Sequence, residues 1–316
     1  PSAALSPCLW YGSGTPGRTD FTAEVPIAQL EVVAEFSTKH FVEAGRARVC
    51  YRKAGSGPAL VLLNGFPLSG LTWRKIVPAL ARRFTCYALD LVGLGDTTSP
   101  VATDHSSEGQ GAVFQRALRT LDVSSYALMG NDTGGWIARE LAILEPERVT
   151  HLVLTNTEIP GHRPPWIPLY QTLSTLPGAG FVFRQVLASH LMRRSAMGFG
   201  GCFTNLDLID GEFTELFIAP LLAAPGRVAS LVQFLVQMKF ARLDRFAQLH
   251  GKLTMPVSFV WGAADPTFPE AKARAISSQF PNVAGFETIP RGKLFIQEEF
   301  PDQLAALMLD ALSRRT

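Results

Sequence analysis

The run Tyr126 to Ile137, Tyr-Ala-Leu-Met-Gly-Asn-Asp-Thr-Gly-Gly-Trp-Ile, constrains this chain more than any other. An apolar strand breaks there into a glycine-bracketed turn that opens a helix, with Asp132 at the tip between Gly130 and Gly134. Glycine is needed on both sides because a turn this sharp brings neighbouring backbone too close for a side chain. The pattern G-x-Nuc-x-G presents a nucleophile above the end of a strand. Here the nucleophile position holds a carboxylate, and the last histidine of the chain is His250.

Around that turn the hydrophobic pattern alternates. Strand-like runs fall at 46–53, 58–63, 84–91, 125–130, 151–156 and 256–261, and the later ones are continuous apolar stretches, as strands buried on both faces require. Helical patterns fall between them at 71–83, 108–121, 134–146, 267–279 and 299–313. Such alternation predicts an α/β fold, a mostly parallel central sheet with helices on both faces. The stretch 159–240 breaks the rhythm: it is apolar and helical, rich in phenylalanine, and has no clean strand. It reads as an inserted helical cap, because ligands bind beyond the carboxyl ends of parallel strands and the insert leaves the sheet there. A second packing layer of helices is the plainer alternative. The expected organisation is an irregular arm at 1–25, a core at 26–158 and 241–316, and the cap at 159–240.

Composition narrows the class. The chain has 316 residues, enough for one full α/β domain with an insertion, and 29 Lys and Arg against 27 Asp and Glu. That balance lacks the basic stripe of a nucleic-acid binder and argues against membrane electrostatics. Cys8, Cys50, Cys86 and Cys202 are scattered without a C-x-x-C pair, so they read as buried or incidental thiols, with no metal site or cofactor expected. No apolar run reaches the ~18 residues of a membrane span, and the first 25 residues lack the basic start of a signal peptide. The default expectation is a cytoplasmic protein; oligomeric state is left open.

Three more motifs accompany the turn: Val-Leu-Leu-Asn-Gly-Phe-Pro at 61–67 followed by Trp73, Asp-Leu-Val-Gly-Leu-Gly-Asp at 90–96, and Trp-Gly-Ala-Ala-Asp-Pro at 261–266. In this order and spacing the chain resembles the α/β-hydrolase superfamily over roughly residues 30–314. The aspartate at the tip is similar to that of the haloalkane dehalogenase and epoxide hydrolase branch. The resemblance implies that Asp132 is a nucleophile making an alkyl-enzyme ester at a saturated carbon, with the backbone N–H groups of Thr133 and Phe66 forming an oxyanion-type pocket. It also implies an acid that orients a base histidine, for which Asp265 and Glu158 are both candidates. Two positions depart from the pattern. Thr133 stands where dehalogenases carry a halide-holding tryptophan, and Asn64 where the family has histidine before glycine. Asp90 and Asp96 read as loop formers.

The base is missing. The family stretch Gly-x-His-Phe-x-Gln-Glu is matched by Gly292-Lys293-Leu294-Phe295-Ile296-Gln297-Glu298, which puts Leu294 at the histidine position, or Lys293 if the register shifts by one. General-base help is worth ~10²–10⁴-fold in such reactions. Without an imidazolium, Asp132, Glu158 and Asp265 are neighbouring carboxyls, and like charges hold one of them protonated. His162 stands near the cap entrance, with a surface or packing role as its plain reading, and Trp166 suits an apolar substrate pocket. Three functions remain open: a hydrolase-like enzyme acting through Asp132 on a small apolar molecule, a non-hydrolytic isomerase, lyase or cyclase using the carboxyl cluster, and a ligand-binding pseudoenzyme.

Overall fold

The computed structural model describes residues 27–100, 102–164 and 166–314, so the expected arm at 1–25 lies outside the described residues. Eight strands form one sheet: β1 (His40–Ala44), β2 (Ala47–Ala54), β3 (Ala59–Leu63), β4 (Thr85–Leu89), β5 (Tyr126–Asn131), β6 (Val149–Thr155), β7 (Val257–Gly262) and β8 (Val283–Ile289). Their order is β1-β2-β4-β3-β5-β6-β7-β8. The β1–β2 and β2–β4 pairs are antiparallel, and β4 through β8 run parallel.

Period-two alternation splits the core between the two faces. Val61 and Leu63 of β3, Leu128 of β5 and Leu152 of β6 pack with the helices Ser107–Thr120 and Thr133–Leu144 through Phe114, Trp136 and Leu141. Leu60, Leu62, Met129 and Val153 face the other way, onto Trp73, Leu80 and Leu304. Ser106 starts the helix Ser107–Thr120 by accepting the Gly109 N–H with its side chain, at 3.2 Å.

Three elements escape the sequence pattern: the helix Ile27–Ser37, the edge strand β1 and the edge strand β8. Most of β8 is half-exposed and its Val-Ala-Gly-Phe-Glu-Thr-Ile run holds a glycine and a glutamate, so it lacks the apolar signature of a covered strand. The helix expected at 71–83 is broken into Gly70–Lys75 and Val77–Leu80, where Pro78 supplies no N–H to continue the ladder.

Between β6 and β7 the described residues from Trp166 to Lys252 form a series of helices joined by turns, with no strand. Phe199, Phe203 and Phe213 in this stretch pack on Phe295 with ring centroids 5.7–6.5 Å apart. Ion pairs hold it to the sheet domain: buried Arg74 joins Glu212 of the insert (2.6 Å) to Glu298 (2.7 Å). Arg227 reaches Asp96 and Arg242 reaches Glu140, at 2.7 and 2.6 Å.

Candidate active site

β5 is buried along its whole length and delivers Asp132 to the carboxyl end of the sheet. Asp132 has φ 51° and ψ −135°, a conformation a side-chain-bearing residue holds only when its surroundings enforce it. The enforcement is visible. A Cβ on Gly134 would lie 2.3 Å from the Leu63 carbonyl oxygen, and one on Gly130 would lie 2.4 Å from that of Gly134. The Asp132 N–H donates to the Asn156 carbonyl at 2.9 Å, and its own carbonyl accepts from Gly135 N–H at 2.8 Å.

The loop after β3 closes over the carboxylate. Gly65 lets it approach, since a Cβ there would stand 2.6 Å from that of Asp132, and the Phe66 N–H donates to Asp132 Oδ2 at 2.8 Å. Burial pushes the Asp132 carboxyl well above its usual range and Glu158 adds to this, while hydrogen bonds from the N–H groups of Phe66 and Thr133 pull it down.

Glu158 lies beside it. Its Oε1 accepts from the Thr133 hydroxyl at 2.9 Å, and its Oε2 stands 3.0 Å from the Thr157 hydroxyl. Burial raises this carboxyl too, against its own N–H, the Thr133 hydroxyl and Arg139. The Thr157 hydroxyl also donates to the Asp132 carbonyl oxygen, 2.7 Å away. Asp132 and Glu158 therefore share the site as two carboxyls both raised by burial, Asp132 the more strongly, with Glu158 Oε2 accepting from the Thr157 hydroxyl.

Arg139 braces this wall from behind. Completely buried, it donates to the carbonyls of Glu158 (2.8 Å) and Gly135 (3.1 Å), and its Nη1 stands 3.2 Å from His250 Nε2. Burial lowers His250 to about 3 and Arg139 to about 10, so the imidazole is neutral: Nε2 accepts from Arg139, and Nδ1–H donates to Gln279 at 2.8 Å.

A cavity of about 190 Å³ opens over Asp132. Of the residues singled out in the sequence, Asp132, Phe66, Thr133, Glu158, Trp166 and Leu294 line it. The other four do not. Asn64 is buried with its Nδ2 on the Gly65 and Leu68 carbonyls at 3.0 and 2.8 Å, so it shapes the strand end and leaves the pocket to Phe66. Asp265 is held behind the wall by Asn156 Nδ2 and Thr267 N–H, both at 2.8 Å, and burial lifts it to about 6. Lys293 points away, its Nζ on the Phe203 carbonyl at 2.9 Å, while Leu294 lines the cavity. His162 donates through Nε2 to the Thr267 carbonyl and meets Lys272 at Nδ1, both at 2.8 Å, outside the cavity.

Sequence reasoning missed three lining residues of chemical interest: Trp136, Tyr170 and Cys202. Burial lifts the Tyr170 hydroxyl to about 12, and the Cys202 thiol is pushed up by burial and then by Asp265 and Asp132, so both stay protonated. Cys202 signalled itself only as one more scattered thiol. Trp136 follows the turn by one helical turn, a spacing that places it on the wall of Asp132 and Thr133. Elsewhere Cys50, Asp90 and Asp96 approach one another, but Asp90 is occupied by the N–H groups of Gly70 and Asp96, and Asp96 by Lys39 and Arg227. That donor set holds the loop together and does not fit a metal.

The strand order, the single strand-to-helix turn carrying the acid and the helical insertion after β6 define an α/β-hydrolase fold. The family model for the alpha/beta hydrolase fold matches residues 58–190. Haloalkane dehalogenase 2 of Mycobacterium tuberculosis is 27% identical over 300 residues, covering 92% of this chain and 98% of that protein. A soluble epoxide hydrolase of a Corynebacterium is 36% identical over 124 residues, 39% of this chain and 43% of its own length. The solved epoxide hydrolase CorEH superposes with a TM-score of 0.75 at 25% identity, over 87% of this chain and 98% of that one. Among the described residues no single helix is long and apolar enough to cross a membrane.

Proposed function

We propose that this chain is an enzyme of the haloalkane dehalogenase and epoxide hydrolase type, acting on a small apolar molecule held under the insert, which serves as a cap. The observation that carries this reading is Asp132 itself, a carboxyl on an enforced turn, facing an apolar cavity with the Phe66 N–H on its Oδ2. A carboxylate oxygen of Asp132 bonds to a saturated carbon of the substrate and the bond from that carbon to the leaving group breaks, giving an alkyl-enzyme ester. In this reading Glu158 holds the proton that the two acids share, and an oxygen leaving group, as in an epoxide, takes it and leaves Glu158 a carboxylate. A halide leaves with its electron pair and gets no indole N–H from position 133. The proton on Glu158 therefore favours epoxides. Leu294 at the base position supplies nothing to activate water, so the ester outlives its formation.

Intact-mass spectrometry after exposure to epoxide and haloalkane panels tests this. The expected result is a stable alkyl adduct on the peptide containing Asp132, absent in Asp132→Asn. In Leu294→His an imidazole near its usual pKa of ~6.5 clears the adduct ~10²–10⁴-fold faster, while Lys293→His changes little. Neither adduct nor turnover across both panels would sink the reading.

A second reading rests on the Glu158–Asp132 pair, an acid beside a base in one apolar cavity. Such a pair suits a proton-shuttling isomerase, lyase or cyclase. Turnover of an apolar substrate with no adduct at any time, abolished in both Asp132→Asn and Glu158→Gln, would favour it.

A further inference from the structure

Charge and apolar surface are unevenly spread. The 48 residues 159–206 contain no aspartate or glutamate but four arginines, Arg163, Arg184, Arg193 and Arg194, leaving 25 basic against 27 acidic residues elsewhere. Arg163 pairs with Asp244, and Arg194 with Asp207 and Asp210. Arg184 and Arg193 bond only to backbone carbonyls, of Leu222 and of Leu187 and Ala188, with no carboxylate partner among the described residues.

The same stretch carries six of the eleven large apolar side chains exposed among the described residues: Leu169, Leu176, Phe181, Val182, Leu191 and Met197. Leu191 is 80% and Phe181 67% exposed, far beyond ordinary surface apolar residues. Val182 and Met197 are exposed and also line the cavity, and Phe181 and Leu191 adjoin the lining residues Val182 and Met192. At Val182 and Met197 the exposed apolar surface and the cavity wall are the same side chains.

We propose that this face docks on an anionic phospholipid surface and draws an apolar substrate into the cavity from that surface. Exposed Phe and Leu side chains enter the headgroup–acyl boundary, and unpaired arginines are attracted to the anionic lipid. The near-neutral total charge conceals this, because attraction depends on the local face. A second copy of the chain is a poorer occupant, since a two-fold contact would set the arginines without a carboxylate partner, Arg184 and Arg193, against those of the other copy. The surface is independent of the chemistry at Asp132, and its test reads binding alone.

The full chain is floated with phosphatidylcholine vesicles, with and without phosphatidylglycerol. Binding is expected only with phosphatidylglycerol, weakening as salt rises. The double variant Phe181→Ser/Leu191→Ser should bind at least about tenfold more weakly, and Arg184→Gln about fivefold. Leu144→Ser, at an exposed apolar position on the sheet domain, should bind as the parent does and controls for general stickiness. Circular dichroism confirms that each variant folds. No binding to anionic vesicles, or equal binding by the double variant, would overturn the proposal. So would a dimer in sedimentation that the double variant abolishes while vesicles leave the parent unbound, which would assign the face to a second copy.

Discussion

At the residue scale the pocket turns on one proton. Glu158→Gln is the informative substitution because glutamine keeps both hydrogen bonds of a protonated glutamate: its amide N–H donates to the Thr157 oxygen and its oxygen accepts from Thr133. Only the transferable proton is lost. Adduct formation from epoxides should fall ~10²–10⁴-fold in Glu158→Gln, while that from haloalkanes, which need no proton, changes little. The parent's epoxide rate should fall on the acid side as Asp132 is protonated and on the alkaline side as Glu158 loses its proton. Stopped-flow rates across pH check this, and the alkaline limb should be absent in the variant. Equal loss with both substrate classes would mean that Glu158 only supports the wall.

At the scale of elements, the strand-to-helix turn is the least adjustable piece of the molecule. In Gly134→Ala the new methyl meets the Leu63 and Asn64 carbonyl oxygens at 2.3 and 2.5 Å, both of them backbone, so neither can swing aside. A cost above about 4 kcal/mol is expected, seen as insoluble expression or a collapsed urea midpoint. Gly180→Ala is the contrast: it lies in the helix Ala179–Ala188 with nothing within 4 Å of a new Cβ, and should gain roughly 0.5–1 kcal/mol. Such stiff elements are also the legible ones. β3, β5, β6 and β7 stand out in the sequence because strands covered on both faces must be apolar throughout, whereas β1 and β8 lie at the sheet edges and carry no such signature. The same division runs through the site. Asp132, Thr133, Phe66 and Glu158 are fixed by backbone at strand ends, so linear motifs locate them. Asp265 and Asn64 also sit at strand ends, but spacing does not encode which way a side chain turns there. Tyr170 lies in a helical insert without a motif, and Arg139 reads in sequence as a charge on a helix surface.

At the scale of the whole molecule, clustering acids under an apolar insert costs stability that the fold must offset elsewhere. A carboxyl whose folded pKa is raised stabilises most below its ordinary pKa, and that contribution is lost as pH rises through the folded value. Asp132 is such a group, raised chiefly by burial, with Asp265 at about 6 adding to it. Near neutral pH its ionisation therefore works against folding, and Asp132→Asn removes that strain while an amide oxygen still accepts from Phe66 N–H. The variant should be more stable than the parent at pH 7 by on the order of 1–2 kcal/mol, the scale at which strained active sites give up stability. The gain should shrink on acidification and vanish near pH ~4, where the parent's carboxyl is protonated as well. His151 and His250, held neutral by burial at about 4 and about 3, lose stability as pH falls in both proteins and cancel in the difference. Paired urea titrations across this range measure it. If Asp132→Asn were less stable at pH 7, or its advantage independent of pH, the turn and not the charge would hold the strain. The assignment of Asp132 as the buried anion would then fall.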